Sequence, residues 1–195
     1  MPLLTLAVML SNGFITADDY PPAAIRQHHQ GLVSAEFVYD RSGRPIRCDI
    51  VASSGWPELD EQTCRLILQR ARNSPVTDLK GEPIGAVQSL RFNWILPGSQ
   101  GSAVPPVPPD EEFTLAALPK EMTKPSAELI LVVSSDGKVE NCSVKNGTGS
   151  VALDEAACLT LAKEVWPQIR DASKNPMRYL RVVKVAFGTE VVSKP

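Results

Sequence analysis

Cys48, Cys64, Cys142 and Cys158 fall into two pairs of equal spacing, and this arrangement constrains the chain more than any other feature. Four cysteines at regular intervals point to bridges formed in an oxidising compartment. The shift of 94 residues that carries Cys48 onto Cys142 also carries Gly43 onto Gly137 and Gly55 onto Gly149. It places Leu59-Asp60-Glu61 on Leu153-Asp154-Glu155 and Cys64 on Cys158. Each cysteine pair is thus expected to belong to one structural unit that occurs twice.

A chain of 195 residues has room for two small domains. The stretch Pro97-Gly98-Ser99-Gln100-Gly101-Ser102-Ala103-Val104-Pro105-Pro106-Val107-Pro108-Pro109 has the composition of an extended, partly flexible tether. The expected organisation is a first unit over residues 16–97, a linker over 98–112 and a second unit over 113–190. Before them, residues 1–15 hold an apolar run, Leu3 to Leu10, that fits a weak leader or the leading edge of the first unit. That run is far shorter than the roughly 20 residues a membrane-spanning helix requires, so no transmembrane segment is expected.

In the first unit Val33, Ala35, Phe37 and Tyr39 alternate with Ser34, Glu36 and Val38, the period of a half-buried strand. The turn formers Asp40-Arg41-Ser42-Gly43 follow, and Ile46, Cys48 and Ile50 alternate on a second strand, giving a hairpin. Beyond Ser53-Ser54-Gly55-Trp56-Pro57 the spacing of Cys64, Ile67, Leu68 and Ala71 is helical, with Asp60 at the expected N-cap. Leu90, Phe92, Trp94 and Leu96 then alternate on a closing strand. The second unit repeats the order. It has an apolar strand at Leu129, Leu131 and Val133, a turn at Ser134-Ser135-Asp136-Gly137, and a strand with Cys142 and Val144. A helix carrying Cys158, Leu161, Ala162 and Val165 and a closing strand near Tyr179 to Phe187 complete it. The expected class is α+β, each unit a three-stranded antiparallel sheet packed by one helix in the order ββαβ.

Cys48 lies in phase with Ile46 and Ile50, and Cys64 with Ile67 and Leu68, so both sulfurs are expected in the interface between sheet and helix. The same holds for Cys142 and Cys158, and the bridges are expected within units. Zinc would need close pairs such as C-x₂-C, and a redox site C-x-x-C at a helix start; neither spacing occurs. His28-His29 fit a loop, Ser53-Ser54 lack the G-x-S-x-G frame, and the acids Asp60-Glu61 and Asp154-Glu155 fit helix starts. A net charge of −2 gives no general attraction for nucleic acid or an anionic membrane. The chain is expected to be no enzyme and to use no cofactor or metal.

Asp19-Tyr20-Pro21, the helix Ala23 to Gln27, Gly31, the strand to Val38, Gly43, Ser53-Ser54-Gly55, Leu59-Asp60, Pro75, Gly81 and Pro83 together resemble the TonB C-terminal domain over residues 16–97. Residues 118–188 resemble a second, more diverged copy, keeping Leu118-Pro119, Gly137, Gly149, Leu153-Asp154 and Phe187. The resemblance implies a periplasmic module that binds the N-terminal box peptide of a TonB-dependent outer-membrane transporter by strand addition and so serves transport across that membrane. It nominates as partner-binding residues Tyr20 and Pro21 and, on the closing strand, Leu90, Arg91, Phe92, Asn93 and Trp94. An energy transducer of this kind also needs a transmembrane helix and a long Pro-rich spacer ahead of the module. Neither precedes the first unit, so the expectation is a soluble or weakly tethered tandem with the same peptide-binding surface. The alternative is an envelope protein whose units serve structure or self-association, with no transducer role.

Leu129 to Val133 is apolar at every position, unlike the alternating first-unit strand. Such a strand implies that its second face, with Ile130 and Val132, is covered.

Overall fold

A computed structural model describes residues 15–100 and 104–189. Apart from Ile15, the expected leader lies outside the described residues. The chain divides into two compact units, one reaching Pro106 and including Asp171–Asn175, the other made of the remainder from Val107. No helix among the described residues is long and apolar enough to cross a membrane.

The first unit opens with helix α1 (Pro22–Gln27), where Pro22 meets the first-turn preference of proline, and α1 ends at His28 in the left-handed region, φ 58°. Strands β1 (Gly31–Tyr39) and β2 (Pro45–Ala52) form the expected hairpin. Asp40 shapes its turn by accepting the Ser42 and Arg44 N–H groups at 2.8 and 3.1 Å. Gly43 is required there: its φ is +77°, and a Cβ would collide with the Asn73 carbonyl. Helix α2 (Pro57–Arg70) is followed by β3 (Val76–Thr77) and the long β4 (Pro83–Trp94). Within this unit the strands run β2, β1, β4, all antiparallel, with β3 against the start of β4. Leu59, Thr63, Leu66 and Ile67 of α2 are buried in a helical stripe, Leu59 and Leu66 clustering with Val33 of the sheet and Ile67 with Ala35 and Phe37 in a second cluster.

The second unit begins with β5 (Glu111–Leu115), which pairs in parallel with β10 (Tyr179–Thr189). Strands β6 (Ser126–Val133) and β7 (Val139–Asn146) form the hairpin, and α3 (Val151–Leu161) follows. A small hairpin of β8 (Ile169–Arg170) and β9 (Pro176–Met177) precedes β10. In this unit β10 is antiparallel to β6, and β6 to β7. Ile130 and Val132 are 6% and 3% exposed, and Leu129, Leu131 and Val133 are fully buried, so β6 is covered on both faces.

The mixed α+β class holds, but several local expectations are corrected. The first closing strand spans Pro83–Trp94, not Leu90 to Leu96, because the buried run Ile84, Ala86 and Val87 extends it without displaying alternation, Ala86 and Val87 pairing with the end of β1 and Ile84 with Val76 of β3. Each unit therefore carries more than three strands. Leu68 is 40% exposed, and Leu66 takes the core position instead. α3 stops at Leu161, leaving Val165 80% exposed, because the Trp166 N–H donates to the Gly137 carbonyl at 2.8 Å and draws the chain off the helix axis. Asp60 and Asp154 are not N-caps. Pro57 starts α2 after Trp56, and α3 starts after Ser150, which places both acids inside the first turn. β5 and the residues before it, Val107 to Asp110, belong to the second unit although the sequence marks them mostly as linker.

The disulfides are Cys48–Cys64, with Cα atoms 5.5 Å apart, and Cys142–Cys158, at 5.7 Å. Each ties the second hairpin strand to the following helix. Non-reducing peptide mapping should recover these two pairs and no linkage between units. Replacing Cys48 and Cys64 together with alanine should lower the denaturation free energy by about 3 kcal/mol, the loop-closure value for a bridge of this span.

Candidate partner-binding edge

In the first unit β4 ends the path β2, β1, β4, and its last residues hold a continuous register with β1, from Gly31 opposite Trp94 to Ala35 opposite Leu90. Alternation sets the two sides of the strand apart. Leu90, Phe92 and Trp94 pack toward the core cluster of Ile15, Tyr20, Ala24, Val33, Leu59 and Leu66. Arg91 and Asn93 have the opposite phase, and Arg91 Nη1 donates to the Pro105 carbonyl at 2.6 Å.

Trp94 is the pivot of this side of the core. It is 2% exposed, and its indole Nε1 donates to Thr63 Oγ1 at 2.9 Å. The Thr63 hydroxyl in turn donates to the Leu59 carbonyl at 2.8 Å, so a helix side chain relays the indole to the helix backbone. Tyr20 and Phe92 both meet the Trp94 ring edge to face, with centroids 5.2 and 4.8 Å away. Tyr20 is itself 5% exposed, and its hydroxyl donates to the His29 carbonyl at 2.6 Å. The nominated Tyr20 and Trp94 are thus core side chains. Their rings are buried, whereas Pro21, Leu90, Arg91, Phe92 and Asn93 are half-buried.

The segment before α1 is fixed from the other side by α2. Arg70 makes two contacts of 2.7 Å with the Asp19 carboxylate, one through each terminal nitrogen. Gln62 Nε2 donates to the Asp19 carbonyl at 2.7 Å. The forked guanidinium explains what a carboxylate gains at position 19. Sequence reading missed this pair because Asp19 and Arg70 lie far apart in the chain, with no pattern to link them. His29, expected in a loop, stacks on Trp56 at 3.5 Å between centroids and contacts Glu58.

The loop before α2 is organised by buried Asp60. Its carboxylate accepts the Ser54 N–H at 2.9 Å, the Ser53 hydroxyl at 2.5 Å and the Ser54 hydroxyl at 2.8 Å. The acid therefore holds the turn preceding its helix rather than the helix end.

Two outcomes follow. Thr63→Val is close in shape but leaves the buried indole N–H without an acceptor, and should cost roughly 1–3 kcal/mol in denaturant titrations. The Arg70 hydrogen bonds hold the Asp19 carboxyl below its ordinary value, with the Thr16 N–H and hydroxyl adding to the effect against the cost of burial. A depressed native pKa contributes stability above the unfolded value that is lost as pH falls through the folded one. Asp19→Asn should therefore lower stability at neutral pH and flatten its decline below about pH 4, measured by denaturation across pH.

Residues 16–96 match the family model described as Gram-negative bacterial TonB protein C-terminal. No curated protein matches the chain. No solved structure matches it either. The match starts at the Thr16 turn that Asp19 closes and ends just past Trp94, spanning the elements that fix the β4 edge. Over residues 16–96 the first unit is thus similar to the C-terminal domain of the Gram-negative bacterial TonB protein.

Proposed function

We propose that the first unit binds an extended peptide by strand addition along β4, between Leu90 and Trp94, in the periplasm. The family is one of protein-interaction domains rather than enzymes, and the observation that carries the reading is the position of β4. Among the strands of its own unit, its stretch Leu90 to Trp94 pairs with β1 alone, and its apolar side chains are turned into the core. A partner strand would then gain affinity from main-chain hydrogen bonds and specificity from the residues flanking the strand. Arg91 and Asn93 supply polar groups in the phase away from the core, and Pro21 lies beside the Tyr20–Trp94 contact. The peptide class is the N-terminal box of a TonB-dependent outer-membrane transporter, which links the chain to transport across the outer membrane.

We also infer that the second unit is a diverged copy of the same domain. Phe37 faces Cys48 across β1 and β2, and Leu131 faces Cys142 across β6 and β7. The irregularities of the first hairpin, at Ser34/Ala35 and Val38/Tyr39, recur at Glu128/Leu129 and Val132/Val133. Val76 pairs with Ile84, and Ile169 with Met177. Bulges are placed features rather than accidents, so their recurrence supports common descent of the two units.

Titration of the isotopically labelled chain with a transporter box peptide should shift the amides of Leu90 to Trp94. If the folded chain shows no change there, the transporter reading is wrong; a concentration-dependent dimer by light scattering would then favour self-association.

A further inference from the structure

The closing strand of the second unit carries a passenger. β5 lies parallel to the last part of β10, with Glu111 opposite Val185, Phe113 opposite Phe187 and Leu115 opposite Thr189. Sheet register within each unit identifies what this part of β10 corresponds to. Phe37 faces Gln88 in the first unit, and its counterpart Leu131 faces Arg181 in the second. Phe92 and Trp94 therefore correspond to Val185 and Phe187, so β5 sits on the stretch equivalent to the end of β4.

β5 is held as a ligand is held, by main chain and a few anchors. The Asp110 N–H donates to the Lys184 carbonyl at 2.7 Å, and the Lys184 N–H donates to Asp110 Oδ2, also at 2.7 Å. Lys184 Nζ donates to the Val107 carbonyl at 2.7 Å. Phe113 stacks on Phe187 with centroids 5.6 Å apart and planes 23° from parallel. Glu112 and Thr114 face outward, while Glu111, Phe113 and Leu115 are only half-buried. Among the described residues the buried hydrophobic core passes from Trp94 to Ala127, with no contribution from β5. Ahead of β5, Pro105, Pro106, Pro108 and Pro109 favour an extended tether and lack the N–H groups that would commit it to a ladder of its own.

We propose that Asp110–Leu115 is a tethered ligand seated in a strand-acceptor site on Val185–Thr189. The site takes an extended peptide in parallel orientation, with a carboxylate at its start and an aromatic side chain three residues on. A tether of this kind presents its strand at an effective concentration of about millimolar, so the second unit is closed to peptides of the same chemistry supplied in trans. The site and its test lie wholly in the second unit and do not depend on what β4 binds.

The test compares the full chain with a full-length variant in which residues 110–115 are replaced by a Gly-Ser segment of equal length. The probe is a labelled synthetic peptide of the sequence Val107–Leu115. The replaced chain should bind it roughly 100-fold more tightly than the intact chain. Amide exchange at Val185–Thr189 should rise on replacement and fall again on adding the peptide, while Leu129–Val133 stays protected. A peptide carrying Asp110→Ala and Phe113→Ala should bind at least about tenfold more weakly. Equal binding by the two chains, or unchanged protection at Val185–Thr189, would overturn the proposal. Loss of Leu129–Val133 protection in both the replaced chain and the milder Phe113→Ala chain would also overturn it, by showing that β5 belongs to the core.

Discussion

A covalent tie from the second strand of a hairpin to the helix that follows it is the constraint on which each unit depends. Cys48 and Cys142 sit on strands whose remaining residues are mostly exposed, and Cys64 and Cys158 are half-buried on their helices. A small sheet with one covering helix buries too little apolar surface to fix the helix strongly by packing alone. The bridge holds it there. With α2 fixed, Thr63 can meet the Trp94 indole and Arg70 can meet Asp19, so the order of the β4 edge follows from the tie between β2 and α2.

The first turn of each helix shows how the two units reach one geometry with different residues. Asp60 holds its preceding loop through Ser53 and Ser54. In the second unit Thr148 takes the role of Ser54, donating its N–H and hydroxyl to Asp154 Oδ1 at 3.0 and 2.9 Å. Gly147 stands in the place of Ser53. A Cβ there would collide with Asp154 Oδ2, so the carboxylate itself occupies the space that a side chain would need. Without a serine hydroxyl to accept, Oδ2 takes the Thr148 N–H at 3.2 Å. Glu140 replaces the apolar Ile46 in a similar way, and its carboxylate accepts two hydrogen bonds from Arg178.

Much of this was legible because local patterns and the internal repeat supported each other. The hairpins, the helices α2 and α3 and both disulfide pairings could be read from alternation, turn residues and cysteine phase. What escaped depended on contacts distant in sequence. Tyr20 and Trp94 look like accessible aromatic anchors until the core closes around them, and Thr63 carries no mark that it will accept from an indole. The start of β4 was hidden because Ile84, Gly85, Ala86 and Val87 are buried in succession and show no alternation. β5 was hidden for another reason. Phe113 and Leu115 do alternate with Glu112 and Thr114, but a parallel partner more than 70 residues away leaves no trace in the local sequence.

The role of β4 as a template for an added strand is tested most directly by cysteine trapping. Arg91→Cys and Asn93→Cys chains, with the native bridges intact, would each be mixed under exchange conditions with transporter box peptides that carry one cysteine at successive positions. A peptide paired along β4 must trap with a two-residue period, and moving the chain cysteine from 91 to 93 must move the favoured peptide position by two. Weak trapping that is uniform across peptide positions would contradict strand addition at this edge.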